Sequence, residues 1–154
     1  MRNRVVSTSG LLVATLLALT GQSVWAQDEM FVTNGNSSLT VYARTASGDV
    51  APMRTLSGGA TGLSAPAGVA VDLVNDEIFV ANGGNGSVTV YARTASGNAA
   101  PLRTIAGAAT GLNTPTGMAL DSVNDEVAVV NLLGNSVTVF SRTASGNVAP
   151  LRTL

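Results

Sequence analysis

The sequence contains no cysteine, no histidine and no lysine. Without cysteine there is no disulfide, no thiol nucleophile and no thiolate ligand, so stability has to come from packing. Without histidine the commonest general base and the commonest transition-metal ligand are both missing. The lack of lysine removes Schiff-base chemistry and the phosphate-binding lysine of a P-loop. Serine and threonine are plentiful, yet none of the usual activating side chains is present to make one a nucleophile. Charge is sparse as well: only 11% of residues are charged, and after residue 26 six Arg face nine Asp and Glu. That balance gives no electrostatic footing for nucleic acid or for an anionic membrane surface. Aromatics make up 4% of the chain, yet mean hydropathy is +0.33, so the apolar content is mainly Val, Ala and Leu. A core of small and β-branched side chains points to strands.

The N-terminus is basic at Arg2 and Arg4, apolar from Leu11 to Thr20, and small-residue-rich at Val24 and Ala26. This is the pattern of a secretory signal peptide over residues 1–26, cut after Ala26. The apolar run is well short of the ~20 residues a spanning helix requires, so no membrane insertion is expected after cleavage. The expected location is exported: periplasmic, cell-surface or extracellular.

What the rest of the chain does have is repetition. Ser87–Ile105 reads SVTVYARTASGNAAPLRTI, and close copies run from Ser38 to Leu56 and from Ser136 to Leu154. The aromatic at the centre recurs every 49 residues, at Tyr42, Tyr91 and Phe140. Within the second copy, four short β-branched runs stand between turn formers: Gly68–Asp72 after Pro66, Glu77–Asn82, Ser87–Tyr91 and Leu102–Ile105. No segment past the leader has the length and 3.6-residue period of a helix. The period and the four-strand unit predict an all-β fold of β-propeller blades. The first strand of each copy, Gly-Val-Ala-Val or Gly-Met-Ala-Leu, has the small side chains an inner strand needs where blades converge on an axis.

The phase of the repeat gives a partial first blade over residues 27–56, a second over 57–105 and a third over 106–154. The first copy enters at the second strand of the unit, so the expected tally is three, four and four strands, about two and three-quarter blades. Closed propellers typically have four to eight blades. The expectation is therefore an incomplete ring: a piece of a longer propeller, or an arc whose exposed blade edges make a homo-oligomer.

Three runs of the second copy, Pro66–Asp72, Ile78–Asn82 and Asn85–Tyr91, resemble exported bacterial β-propeller repeats of the NHL and YVTN kind. Val80-Ala81-Asn82 and Val32-Thr33-Asn34 are similar to the YVTN tetrapeptide itself. The resemblance covers essentially all of residues 27–154. It implies the propeller fold and leaves function open, since such propellers include adhesins, scaffolds, lactonases and lyases.

In lactonase-like propellers acidic and amide side chains around the channel hold a divalent metal, and the resemblance makes Asp72 and Asp121 the candidate ligands for a cation such as Ca²⁺. They end the inner strand in two successive copies, at one mouth of a channel; Asn34, Asn82 and Asn131 end the second strand at the opposite edge. The simpler assignment for all five is turn-capping, because Asp and Asn at strand ends hydrogen-bond their own turn backbone and recur in equivalent places. The Asp72–Glu77 stretch lacks the glycine and terminal bidentate glutamate of an EF-hand loop. Arg44, Arg93 and Arg142 form one recurring set, and Arg54, Arg103 and Arg152 another. They are either a basic ring for an anionic ligand or partners of acids such as Asp76 and Glu77. The second is expected. Gly58-Gly59 and Gly83-Gly84 precede no helix, which argues against a phosphate loop.

The sequence thus points to a non-catalytic exported module that binds a protein or carbohydrate ligand, or serves as a scaffold, with no cofactor and no catalytic residue. The alternative is a metal-dependent hydrolase or lyase of the lactonase-like group.

Overall fold

A computed structural model describes residues 28–154; the predicted signal peptide lies outside them. Eleven strands form three antiparallel sheets. The first sheet holds β1 (Glu29–Asn34), β2 (Ser38–Ala43) and β3 (Arg54–Ser57). The second holds β4 (Pro66–Asp72), β5 (Glu77–Asn82), β6 (Ser87–Ala92) and β7 (Arg103–Ile105). The third holds β8 (Pro115–Asp121), β9 (Glu126–Asn131), β10 (Ser136–Ser141) and β11 (Arg152–Thr153). Each is a meander with strands in chain order, as blades of an incomplete propeller should be.

Two local features differ from the expectation. Pro66 and Pro115 lie inside β4 and β8 as their first residues, where the missing N–H disturbs only the start of the ladder, and the register slips just after each. Single 3₁₀ turns occupy Gly59–Thr61 and Ala108–Thr110, each closed by a glycine at positive φ, Gly62 and Gly111. One turn is too short to give a helical period in the sequence.

The core lies between sheets. Alternation along β5 sends Ile78 and Val80 toward the first sheet, where they meet Leu39, Val41 and Leu56, and Tyr91 joins them from β6. The intervening residues Phe79, Val88 and Val90 face the third sheet and pack with Val127, Val129 and Phe140. The second sheet is covered on both sides, which is why its strands are apolar almost without interruption.

Inner strands β4 and β8 approach so closely that a Cβ on Gly68 would lie 1.9 Å from the Thr116 carbonyl oxygen. Tyr91 is fully buried and its hydroxyl donates to the Thr61 carbonyl at 2.6 Å, with Thr89 Oγ1 2.9 Å away. Tyr91→Phe keeps the ring and orphans that carbonyl; a cost of about 1 kcal/mol is expected in denaturant unfolding.

Candidate functional site

Asp72 closes β4 and Asp121 closes β8, so packing of the two inner strands brings both carboxylates to the same end of the sheets. They line a common cleft of about 240 Å³, with Val71, Leu73, Leu120 and Arg142. The two hairpin loops are built alike. Asp72 Oδ1 accepts from the backbone N–H of Val74 and of Asn75, both at 3.0 Å, and Oδ2 accepts from Asn75 Nδ2 at 2.9 Å. Asp121 Oδ1 accepts from Val123 and Asn124, both at 3.0 Å, and Oδ2 from Asn124 Nδ2 at 2.7 Å. Each loop then turns through a left-handed residue, Asp76 or Asp125, both at φ 58°, a conformation Asp tolerates better than most residues.

Arg142 joins the cleft from the end of β10. Its Nε donates to Asp125 at 2.5 Å and lies 3.6 Å from Asp72 Oδ2, while Nη1 reaches Glu77 at 3.4 Å. Burial pushes the Asp72 carboxyl upward, but hydrogen bonds from Asn75 and Val74 and the charge of Arg142 outweigh it and hold the group below its ordinary value. Asp121 is lowered chiefly by its hydrogen bonds from Asn124. Arg142 is raised, first by its hydrogen bond to Asp125. Both aspartates are therefore ionised and Arg142 is charged at neutral pH.

This geometry bears on the divalent metal the resemblance implied. Calcium takes six to eight oxygens, mostly from carboxylates and carbonyls. Among the described residues no three His, Cys, Asp or Glu side chains come together in a metal-ready group. In the cleft both oxygens of each aspartate already accept hydrogen bonds, and a guanidinium stands beside Asp72. The donor set does not fit a resident divalent cation.

The asparagines depart from the turn-capping expectation. Asn82 is fully buried; its Nδ2 donates to Thr89 Oγ1 at 3.0 Å and Ser87 Oγ at 3.2 Å, and its Oδ1 accepts from the Ser64 N–H. Asn131 repeats this with Thr138, Ser136 and Asn113. They tie two strands to the loop leading into the inner strand, which satisfies buried polar groups. Asn34 keeps the Ser38 and Thr40 bonds.

All six arginines among the described residues are paired, as expected, and three of their nine ion pairs run between sheets. Glu29 holds Arg54 of its own sheet, at 2.5 and 3.0 Å, together with Arg93 of the next. Glu77 likewise holds Arg103, at 2.7 and 2.6 Å, and Arg142 of the next. Arg54 and Arg103 also donate across the junction to the carbonyls of Arg93 and Arg142, and lie 5.7 and 5.4 Å from the ring centres of Phe31 and Phe79. Sequence reasoning had not placed Arg142 in the Asp72–Asp121 cleft. Its recurrence at Arg44 and Arg93 marked it as structural but carried no sign of which acids it would reach.

Among the described residues no helix is long and apolar enough to cross a membrane. A crystal structure of a functionally unknown protein from Desulfotomaculum acetoxidans DSM 771 superposes with a TM-score of 0.59 at 15% identity, over 83% of this chain. The chain spans 38% of the length of that protein, and identity this low speaks for the fold alone. No curated protein matches the sequence. The family described as "Lactonase, 7-bladed beta-propeller" matches residues 27–153. The three sheets and their blade-like packing agree with that match, and the chain belongs to the lactonase family of seven-bladed β-propellers.

Proposed function

We propose that this chain is an exported, non-catalytic propeller module of the NHL/YVTN kind that binds a protein or carbohydrate partner at its hairpin loops. The observation that carries this reading is the state of the Asp72–Asp121 cleft. Its ionisable groups are committed to turn hydrogen bonds and ion pairs, while Val74 and Val123 at the two hairpin tips are 79% and 91% exposed. Paired charges flanked by exposed apolar tips suit recognition better than proton transfer, which needs a group free to exchange its proton with substrate. Export rests on the leader pattern of residues 1–26.

The family match favours a second reading, hydrolysis of a lactone at the same cleft. Titration calorimetry of the protein with Ca²⁺, Mg²⁺ and Mn²⁺, together with an assay of γ- and δ-lactone hydrolysis, separates the two. Neither metal heat nor turnover is expected. Submillimolar metal binding lost in Asp121→Ala, or lactone turnover lost in that variant, would replace the binding module with the hydrolase.

A further inference from the structure

The two hairpins that flank the cleft present charge of one sign. The β4–β5 turn runs through Leu73, Val74, Asn75 and Asp76, and the β8–β9 turn through Ser122, Val123, Asn124 and Asp125. The Asp76 and Asp125 side chains are 60% and 57% exposed, whereas Arg93 and Arg142, which hold them through Nε, are 12% and 15% exposed. The negative partner of each ion pair faces water while the positive one lies beneath it, its Nη1 turned to Glu29 or Glu77 of the preceding sheet. Each arginine uses only Oδ1 of its aspartate. Among the described residues Oδ2 of Asp76 and of Asp125 accepts no hydrogen bond, and a carboxylate has lone pairs to spare for a second cation. Each tip also carries an exposed valine two residues before its aspartate, and Leu73 is exposed beside Val74.

The β4–β5 tip belongs to the second sheet, which is covered on both faces, so its exposure comes from reaching past the sheets and not from an open face. The two hairpins also stand at the charged edge of the molecule. The loops at the opposite edge, residues 35–37, 58–65, 83–86, 106–114 and 132–135, contain no Asp, Glu or Arg. In the second sheet Asp72, Asp76 and Glu77 face Arg93 and Arg103, and in the third Asp121, Asp125 and Glu126 face Arg142 and Arg152, so each sheet adds one net negative charge to the hairpin edge. No aromatic ring among the described residues is exposed, which leaves the tips without the flat faces against which a sugar stacks. A surface of exposed carboxylates and aliphatic tips is matched by one that is cationic and aliphatic, which is the chemistry of a protein.

We infer that the partner at these hairpins is a basic segment of another protein, its Lys or Arg side chains paired with Asp76 and Asp125 and its aliphatic side chains packed on Leu73, Val74 and Val123. The inference rests on the binding-module reading of the same loops and names the partner that reading leaves open. Opposite charge speeds the encounter and rejects acidic partners. An aliphatic contact bordered by polar groups has the usual anatomy of a protein interface.

The test is selection of a phage-displayed random dodecapeptide library on the full-length chain, its leader left to the host's processing, followed by fluorescence anisotropy of the enriched peptides. Enriched sequences are expected to combine Lys or Arg with Leu, Ile or Val, and their binding should weaken about tenfold as salt rises from roughly 0.05 to 0.5 M. Val74→Ser and Asp76→Asn should each weaken it by about fivefold or more, while Leu133→Ser, at the uncharged edge, should leave it unchanged. Both test positions are exposed, and asparagine adopts the φ of 58° at residue 76 as readily as aspartate does; circular dichroism checks that each variant is folded. No enrichment, enrichment of acidic or neutral sequences, or binding indifferent to both Val74→Ser and Asp76→Asn overturns the inference. Binding of neutral dextran in place of peptides overturns it as well but leaves a binding module, whereas lactone turnover overturns the binding module along with it.

Discussion

Gly68→Ala should destabilise the protein by about 3 kcal/mol, at the upper end of overpacking effects, whereas Gly117→Ala, the equivalent change one repeat later, should be nearly neutral. Neither glycine has a positive φ, so backbone strain is not the difference. Replacing glycine by alanine in ordinary backbone usually adds a few tenths to about 1 kcal/mol of stability by restricting the unfolded chain. At Gly68 that gain is overwhelmed. The new methyl would sit 1.9 Å from the Thr116 carbonyl oxygen and 3.1 Å from its carbon, and both are backbone atoms that no rotamer change can move. The inner strands would have to separate, opening the Phe79–Val129 side of the core. At Gly117 the nearest atom is Val130 Cγ2 at 3.7 Å, an ordinary contact. Denaturant midpoints of the two variants check the pair. Equal, small shifts would mean that β4 and β8 do not approach as described.

That contrast shows what the sequence carried and what it could not. The recurrence of Tyr42, Tyr91 and Phe140 gave the unit, the β-branched runs gave four strands in it, and the entry at Glu29 gave the eleven-strand tally. All of this is information about position within a sheet, which alternation and turn residues encode locally. Contacts between sheets are not local. Gly68 and Gly117 occupy the same place in their repeats and were read alike as small inner-strand residues, yet only at Gly68 does backbone of the next sheet stand where a Cβ would go. Asp76 and Glu77 were legible as arginine partners, but a repeat spacing says nothing about an arginine reaching back across a junction, so the double pairing of Glu29 was not. The Asp72 and Asp121 turn bonds were legible because the donors lie two and three residues away. The buried Asn82 network was not, because its acceptor role runs to Ser64 in a loop 18 residues earlier.

Glu29→Gln should be the most damaging single change among the charged residues, costing about 3 kcal/mol at neutral pH and flattening the acid limb of the stability curve. Glutamine keeps the shape of the side chain but cannot neutralise two guanidinium groups. Arg54 and Arg93 have side chains only 17% and 12% exposed, so neither recovers its solvation by swinging into water, and they are left facing each other across the first junction. Removing one partner of a mostly buried pair typically costs 3–5 kcal/mol, and the remaining solvent contact places this case at the lower end, at ~3 kcal/mol. The pH dependence has a definite sign. The hydrogen bond from Arg54 and the charges of Arg54 and Arg93 outweigh burial and hold the Glu29 carboxyl below its ordinary value of 4.5. Its contribution is therefore complete above pH ~4.5, where the unfolded chain is also ionised, and is lost as pH falls through the lower folded value. In the variant that part of the acid limb disappears, while the part due to Asp72, lowered from 3.8, remains. Glu126→Gln is the internal control: Glu126 holds only Arg152, whose side chain is 54% exposed, so water takes over and the shift should be small. Chemical denaturation of both variants between pH 3 and 7 measures the two slopes. Parallel wild-type and Glu29→Gln curves would mean that the junction is held by its apolar cluster alone.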